Sequence, residues 1–287
     1  MAMQPVPTTL RRQVGAYLRR LRGDRTVADV ARNLGWSESK LSRIETAHIG
    51  ITNRDLDRLL KHYGVGDGEA RRIRAIAVQS RQRAWWEAYG DVLPTSYETY
   101  IGFESEAAEI LNFENTVVPG LLQTDEYARA VFQADGRRHD GRPLDGAEID
   151  QKVAVRMARQ SVLTREPPPR LVMVLDEAVT RRPIGGPSVQ RRQLRRLAEA
   201  AERSTIEVRV LPFSVGGHPG LAGSFAIHLF ANEEPPIVYC EGRTGGVFRT
   251  RSDEVEGYLE SFRELRGLAL PQDESIAFLL AAARDVG

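Results

Sequence analysis

The chain has 287 residues and little of several things. It has one cysteine, Cys240, which excludes an internal disulfide and any multi-cysteine zinc site; its neighbours Ile237, Val238 and Tyr239 read as a strand core. No metal and no cofactor is expected. The apolar run near the C-terminus, Ile276 to Ala283, falls far short of the roughly 20 residues that cross a bilayer. The N-terminus lacks the apolar core of a signal peptide, so the expected location is the cytoplasm, away from membranes. Lysine is scarce: beyond residue 61 only Lys152 remains.

What the chain does have is enough apolar side chains, 41%, to build real cores, with 28% charged residues around them. Its length suits two ordinary domains. The net charge of +1 hides an asymmetry. Residues 1–83 hold 17 basic and 8 acidic residues, net +9; the remainder holds 23 and 31, net −8. This is the pattern of a polyanion-binding module joined to a different kind of domain, here divided as 1–83 and 84–287.

Apolar spacing in the basic part predicts a bundle of short helices. Leu10, Val14, Leu18 and Leu21 mark a first helix. Val27, Val30, Ala31 and Leu34 mark a second, capped by Thr26 with Asp29 behind it. Gly35 suits a left-handed helix end, and Ser37 then caps a third helix running to about Thr46. Leu41 and Ile44 are its inward pair, which leaves Glu38, Ser39, Lys40, Ser42 and Arg43 mostly outside. Thr52 and Asp55 open a fourth helix with Leu56, Leu59, Leu60 and Tyr63 inward; an Arg-rich helix from Asp67 follows.

The stretch VADVARNLGWSESKLSRIE resembles the DNA-binding domain of XRE-type helix-turn-helix regulators, the group that includes phage repressors and Cro. Ala31 matches the helix crossing, Gly35 the turn, Ser37 the start of the recognition helix and Ile44-Glu45 its end. The resemblance covers roughly residues 8–66 and implies a lambda-repressor-like fold that binds double-stranded DNA in the major groove. It assigns base reading to Glu38, Ser39, Ser42 and Arg43, with Arg43 facing guanine and Glu38 a cytosine amino group. It assigns phosphates to Ser37, Lys40, Asn53 and Arg54. Where many relatives carry Gln, this chain has Val27 and Glu38. Arg20 and Glu45 match a pair that forms an internal salt bridge in this family, a structural role.

In the acidic part, Trp85-Trp86 and the loop 90–96 mark the junction, with the Trp pair read as packing. Helical patterns follow at Glu98 to Phe113, Thr124 to Ala134 and Ala147 to Leu163, and Pro167 to Pro169 end them. RLVMVLDEA reads as a buried strand, VQRRQLRRLAEAAER as a helix and TIEVRVLPF as a second strand parallel to the first. SFAIHLFA, IVYCEG and GVFRT add three short strands before helices at Ser252 to Leu268 and Gln272 to Val286. The expectation is an all-α N-terminal domain plus an α+β or α/β C-terminal domain with a small mixed sheet.

Three stretches, EAAEILNFENTVVPGLLQTDEYARAV, QLRRLAEAAERSTIEVRVLPF and HPGLAGSF, resemble the domain of actinobacterial WhiJ-like regulators over roughly residues 97–270. That implies a cytoplasmic transcriptional regulator, commonly encoded beside a small acidic partner protein, an arrangement likened to toxin–antitoxin pairs. No established ligand comes with it, which leaves room for a small-molecule effector. VVPGLLQT and SVGGHPGLAGSF are the stretches that suggest a ligand or partner cleft, through Pro119, Gly120, Gln123, His218 and Gly220, although glycine and proline also simply shape turns. His218 has no His, Cys or carboxylate at metal-ligand spacing along the chain. Asp176 and Glu177, adjacent on a strand, are expected to point to opposite faces.

The function expected is a homodimeric, sequence-specific DNA-binding regulator, not an enzyme. The alternatives are an antitoxin-like interaction protein that binds a small partner and autoregulates, and a self-cleaving repressor cut at Ala222-Gly223. The last needs a desolvated lysine beside a serine, and Lys152 is the sole lysine on offer there.

Overall fold

A computed structural model describes residues 9–47, 49–79, 93, 95–136, 142–231, 234–242 and 246–286. The chain divides into two compact units, Met1–Glu87 and Ala88–Gly287. Trp85 and Trp86 lie outside the described residues.

Among its described residues the first unit has five helices: α1 Thr9–Arg22, α2 Val27–Leu34, α3 Glu38–Glu45, α4 Asn53–Tyr63 and α5 Asp67–Gln79. The expected caps form. Thr26, Ser37 and Thr52 each accept the backbone N–H three residues on, from Asp29, Lys40 and Asp55. Gly35 ends α2 at φ +66°, and its N–H reaches back to the carbonyls of Ala31 and Arg32. A side chain would be strained there, which is why the turn between α2 and α3 has glycine at this point. Leu18, Val30, Ala31, Leu41, Leu56, Leu59, Leu60 and Ile73 build the core.

The salt bridge expected between Arg20 and Glu45 does not form. Glu45 pairs with Arg22, Nε to Oε1 at 2.8 Å, while Arg20 lies 3.8 Å from Glu69 on α5. Helix geometry gives the reason. Gly15, Leu18 and Arg22 share one face of α1, and Arg20 stands well round the cylinder from them. That face meets the end of α3 closely: a Cβ on Gly15 would lie 2.5 Å from the Glu45 carbonyl oxygen. The hydrogen bond that Arg22 donates to Glu45 holds the guanidinium above its ordinary pKa, against the opposing effect of burial.

The second unit is a six-stranded mixed sheet in the order β3-β2-β1-β4-β5-β6. The strands are β1 Glu109–Glu114, β2 Arg170–Asp176, β3 Ile206–Leu211, β4 Phe225–Leu229, β5 Ile237–Cys240 and β6 Val247–Arg249. β1, β2 and β3 run parallel, and β4, β5 and β6 add antiparallel on the far side of β1. The helices are α6 Thr95–Glu106, α7 Asp125–Asp135, α8 Gly146–Arg159, α9 Glu177–Arg181, α10 Pro187–Ala201, α11 Ser252–Leu268 and α12 Gln272–Asp285.

The helix expected from Glu98 to Phe113 is corrected by β1. The helix stops at Glu106, and residues 109–114 become the strand at the centre of the sheet. Two neighbours, β2 and β4, bond its backbone from both sides, and such tertiary pairing outweighs a short helical pattern. Glu177 is corrected too: it opens α9 rather than ending a strand, because the Asp176 carboxylate caps that turn by accepting the Ala178 N–H.

Alternation along β2 separates two cores. Leu171, Met173 and Leu175 pack with α10 and α12 through Leu194, Leu197, Leu279 and Ala282. Val172 and Val174 pack with Phe113, Phe225 and, from α11, Phe262 and Leu265. Both faces of the sheet are thus covered, as buried parallel strands require. The outer edge of β3 is closed by Leu270, whose N–H donates to the Val210 carbonyl, and by Ser275, whose hydroxyl accepts the Val210 N–H. Among the described residues no helix is long and apolar enough to cross a membrane.

A buried ion pair ties α6 to α8. The Arg159 guanidinium meets both carboxylate oxygens of Glu104, at 2.9 and 2.6 Å, and also donates to the Tyr97 hydroxyl. Its carbon lies 5.0 Å from the ring centroids of Tyr97 and Tyr100. Breaking a buried pair leaves a charge without a partner, so Arg159→Met should cost about 3 kcal/mol or more. Gly15→Ala should cost about 2 kcal/mol, because the new methyl meets backbone that cannot move aside. Urea unfolding of the full chain measures both, and a change under about 0.5 kcal/mol would overturn either account.

Candidate nucleic-acid interface

The third helix owes its orientation to three inward side chains. Leu41, Ile44 and Glu45 are buried, and residues 39, 42 and 43 fall on the opposite side of a 3.6-residue helix. Glu38, Ser39, Ser42 and Arg43 are exposed, and none makes an ion pair with another described residue. The four side chains assigned to base reading therefore share one outward surface over the first turns of α3. Its N-terminal amides add the partial positive charge of a helix start.

The four phosphate assignments divide. Arg54 and Asn53 are exposed at the start of α4. Ser37 is engaged as a cap, its Oγ accepting the Lys40 N–H at 3.2 Å, which still leaves a hydroxyl proton to donate. Lys40 is already occupied: its ammonium lies 2.8 Å from Asp55 Oδ2 and 4.2 Å from the centroid of the Trp36 ring. Sequence reasoning missed this pair. The signal was available only in part, since Lys40 stands on the flank of α3 rather than at the centre of its outer face.

The five cleft residues of the second unit separate into two groups with different partners. Pro119 and Gly120 enter a 3-10 turn at Gly120–Leu122. The Gln123 amide is consumed within the fold: it donates to the Val118 carbonyl at 2.7 Å and accepts from Arg156 Nη1 at 2.6 Å. The Arg156 stem lies against Gly120, where a Cβ would meet Arg156 Cδ at 3.0 Å. His218 and Gly220 belong to a second 3-10 turn, Pro219–Ala222. Gly220 is pressed so close to Phe113 that a Cβ would lie 2.3 Å from its ring. His218 Nε2 is 3.5 Å from Asp176 Oδ2, a carboxylate 42 positions away that linear spacing did not reveal.

Two further polar groups of this unit also escaped the sequence. His228 on β4 is fully buried, with the Tyr100 ring edge-on at 5.2 Å. Burial, with the Arg159 charge adding to it, pushes the imidazole down to about 3, so the ring is neutral. Glu114, at the end of β1, faces the same side of the sheet as Asn112 and approaches Ser224, Glu241 and Arg156. Burial raises its carboxyl to about 7, against the Ser224 hydrogen bond.

For Glu114 the sign follows from where protons are held. Between about pH 4.5, its ordinary value, and about 7 the folded chain keeps a proton that the unfolded chain has released. Its contribution to stability is therefore complete below that window and lost as pH rises through it. Glu114→Gln should flatten that decline and leave the variant more stable at pH 8, on the order of 1 kcal/mol or more. Urea unfolding at pH 5 and pH 8 checks this; parallel shifts at both pH values would contradict it.

Comparison with known proteins divides the chain in the same way. Residues 13–73 match the model of a helix-turn-helix domain, so the first unit is a DNA-binding helix-turn-helix domain. Residues 97–281, nearly two thirds of the chain, match a domain of unknown function, DUF5753. No curated protein and no solved structure matches. With a helix-turn-helix domain at its front and that match over the greater part of its length, the chain belongs to the DUF5753 family.

Proposed function

We propose that the protein is a sequence-specific transcription regulator of the XRE type, WhiJ-like in its second domain, that reads the major groove with α3. The observation that carries this is the outward set Glu38, Ser39, Ser42 and Arg43, exposed and engaged by no ion pair among the described residues, on a domain of net charge +9. In this reading Arg43 pairs with guanine, Glu38 accepts from a cytosine amino group, and Ser39 and Ser42 serve either base type. Ser37, Asn53 and Arg54 hold phosphates and so fix register.

One domain of this size reads only a few base pairs, so affinity comes from two copies on half-sites about one helical turn apart. The second domain supplies the dimer surface and senses an effector or a partner protein. It performs no catalysis in this reading. In a partner-binding role the turns at Phe213–Val215 and Pro219–Ala222 would offer Phe213 and Leu221, 58% and 70% exposed. Self-cleavage has less behind it: the Lys152 ammonium stands 5.6 Å from the Phe132 ring centroid, on α8, away from the Ala222-Gly223 turn in sequence and on a different element.

The test is selection of genomic fragments by the purified full chain, followed by titration of the enriched sequence. Arg43→Ala should weaken that site by about 1–3 kcal/mol, leave random DNA nearly unchanged and relax preference at one base position. Arg54→Ala should weaken all duplexes alike and reduce the salt slope by about one. Failure of the wild type to prefer any sequence over random DNA would sink the sequence-reading proposal.

A further inference from the structure

Of the residues assigned to DNA, Lys40 is the one whose charge is already paired among the described residues. Its ammonium sits 2.8 Å from Asp55 Oδ2, in a pair whose side chains are 36% and 16% exposed. The Trp36 ring centroid lies 4.2 Å from the same nitrogen. Asp55 is the third residue of α4, its backbone N–H held by the Thr52 hydroxyl. It therefore stands in the first turn of a helix, beside Asn53 and Arg54, where the helix dipole favours an anion. A DNA phosphate arriving at that end meets a place in which a carboxylate is already installed and already holds a lysine.

We propose that Asp55 is an electrostatic latch on Lys40. In the free protein it neutralises the ammonium; in the complex a backbone phosphate at the start of α4 takes the ammonium over. The inference rests on the DNA-binding reading above and deepens it. A partly exposed ion pair is weak enough to exchange, unlike the Arg22–Glu45 pair, whose side chains are 16% and 4% exposed. Trp36 also holds the ammonium through its ring, a cation–π contact that the exchange gives up with the pair. Its ring is also approached by Arg58, 5.7 Å from the centroid, and that guanidinium is bonded to the Leu34 carbonyl. The ammonium thus has to leave both Asp55 and the Trp36 ring, which Arg58 continues to cover.

The latch bears on affinity rather than on base choice. Every phosphate contact strengthens binding to any sequence, whereas base contacts strengthen binding to one. Every complex, on any sequence, gives up the Asp55–Lys40 pair, so the latch lowers the hold on DNA as a whole and leaves discrimination to α3. Asp55 is a positioning residue in this scheme and touches no base.

The experiment is a double-mutant cycle on the full chain with a random-sequence duplex, followed by fluorescence anisotropy across a salt series. Circular dichroism melting of each variant checks that the fold is kept. Asp55→Asn should tighten binding roughly ten-fold at low salt and steepen the salt slope by up to about one. Lys40→Met should weaken binding and reduce the slope by about one. In the Lys40→Met background, Asp55→Asn should change affinity less than about two-fold, because the group it restrains is gone. An equal gain in both backgrounds would mean that Asp55 merely repels phosphate, and the latch would be wrong. Lower melting temperatures with unchanged affinity would make the pair a strut between α3 and α4, and the latch would again be wrong. A folded wild type that binds no duplex at any salt would overturn the DNA-binding reading itself, an outcome distinct from either.

Discussion

The backbone of β1 is hydrogen-bonded along both edges, parallel to β2 and antiparallel to β4, and the second domain is arranged around that double pairing. It places Phe113 on the α11 face and Asn112 with Glu114 on the other, because successive side chains on a strand alternate. On one face Phe113 becomes the surface against which Gly220 must be a glycine. On the other, the polar end of β1 meets Arg156, Ser224 and Glu241, and burial, with the Glu241 charge adding to it, makes the Glu114 carboxyl hold its proton near neutrality against the pull of Ser224 and Arg156. A strand paired on one side only would leave the parallel and antiparallel halves of the sheet without a common member.

A closer constraint governs the first domain. The contact between Gly15 and the Glu45 carbonyl lets α1 approach the end of α3 without a side chain between them. Once that contact and the Arg22–Glu45 pair are made, the rotation of α3 about its own axis is set. Its outer residues then have no freedom to turn inward. The face offered to DNA is thus a consequence of how the opposite face is packed.

Charge is used in two ways. Where it is buried it is matched within the fold, as in Glu104 with Arg159, or removed, as in the neutral His228 and the raised carboxyl of Glu114. Where it is exposed on the first domain, Arg43 and Arg54 remain without an ion-pair partner among the described residues. Lys40 lies between these regimes, half-exposed and paired. Burial favours pairing because an isolated ion in a low-dielectric interior is costly, while water shields an exposed one cheaply.

The first domain was readable from the sequence because its signals are local. Thr26, Ser37 and Thr52 cap helices within three residues of themselves, Gly35 acts at its own position, and Leu41 with Ile44 fixes the inner face of an eight-residue helix. The same holds for α11 and α12, whose bounds the apolar spacing nearly reproduces. β1 was not readable, since EILNFE carries a short pattern that suits either helix or strand, and partners 60 and more residues away decide between them. The exchange of Arg20 for Arg22 opposite Glu45 turned on a rotation of about half a helical turn, which family likeness did not resolve. The meeting of His218 with Asp176 and of Lys40 with Asp55 lay equally beyond the sequence. Local chemistry determined where helices begin, end and face; only the assembled fold decided which distant side chains meet, because those contacts depend on packing distances that no linear spacing encodes.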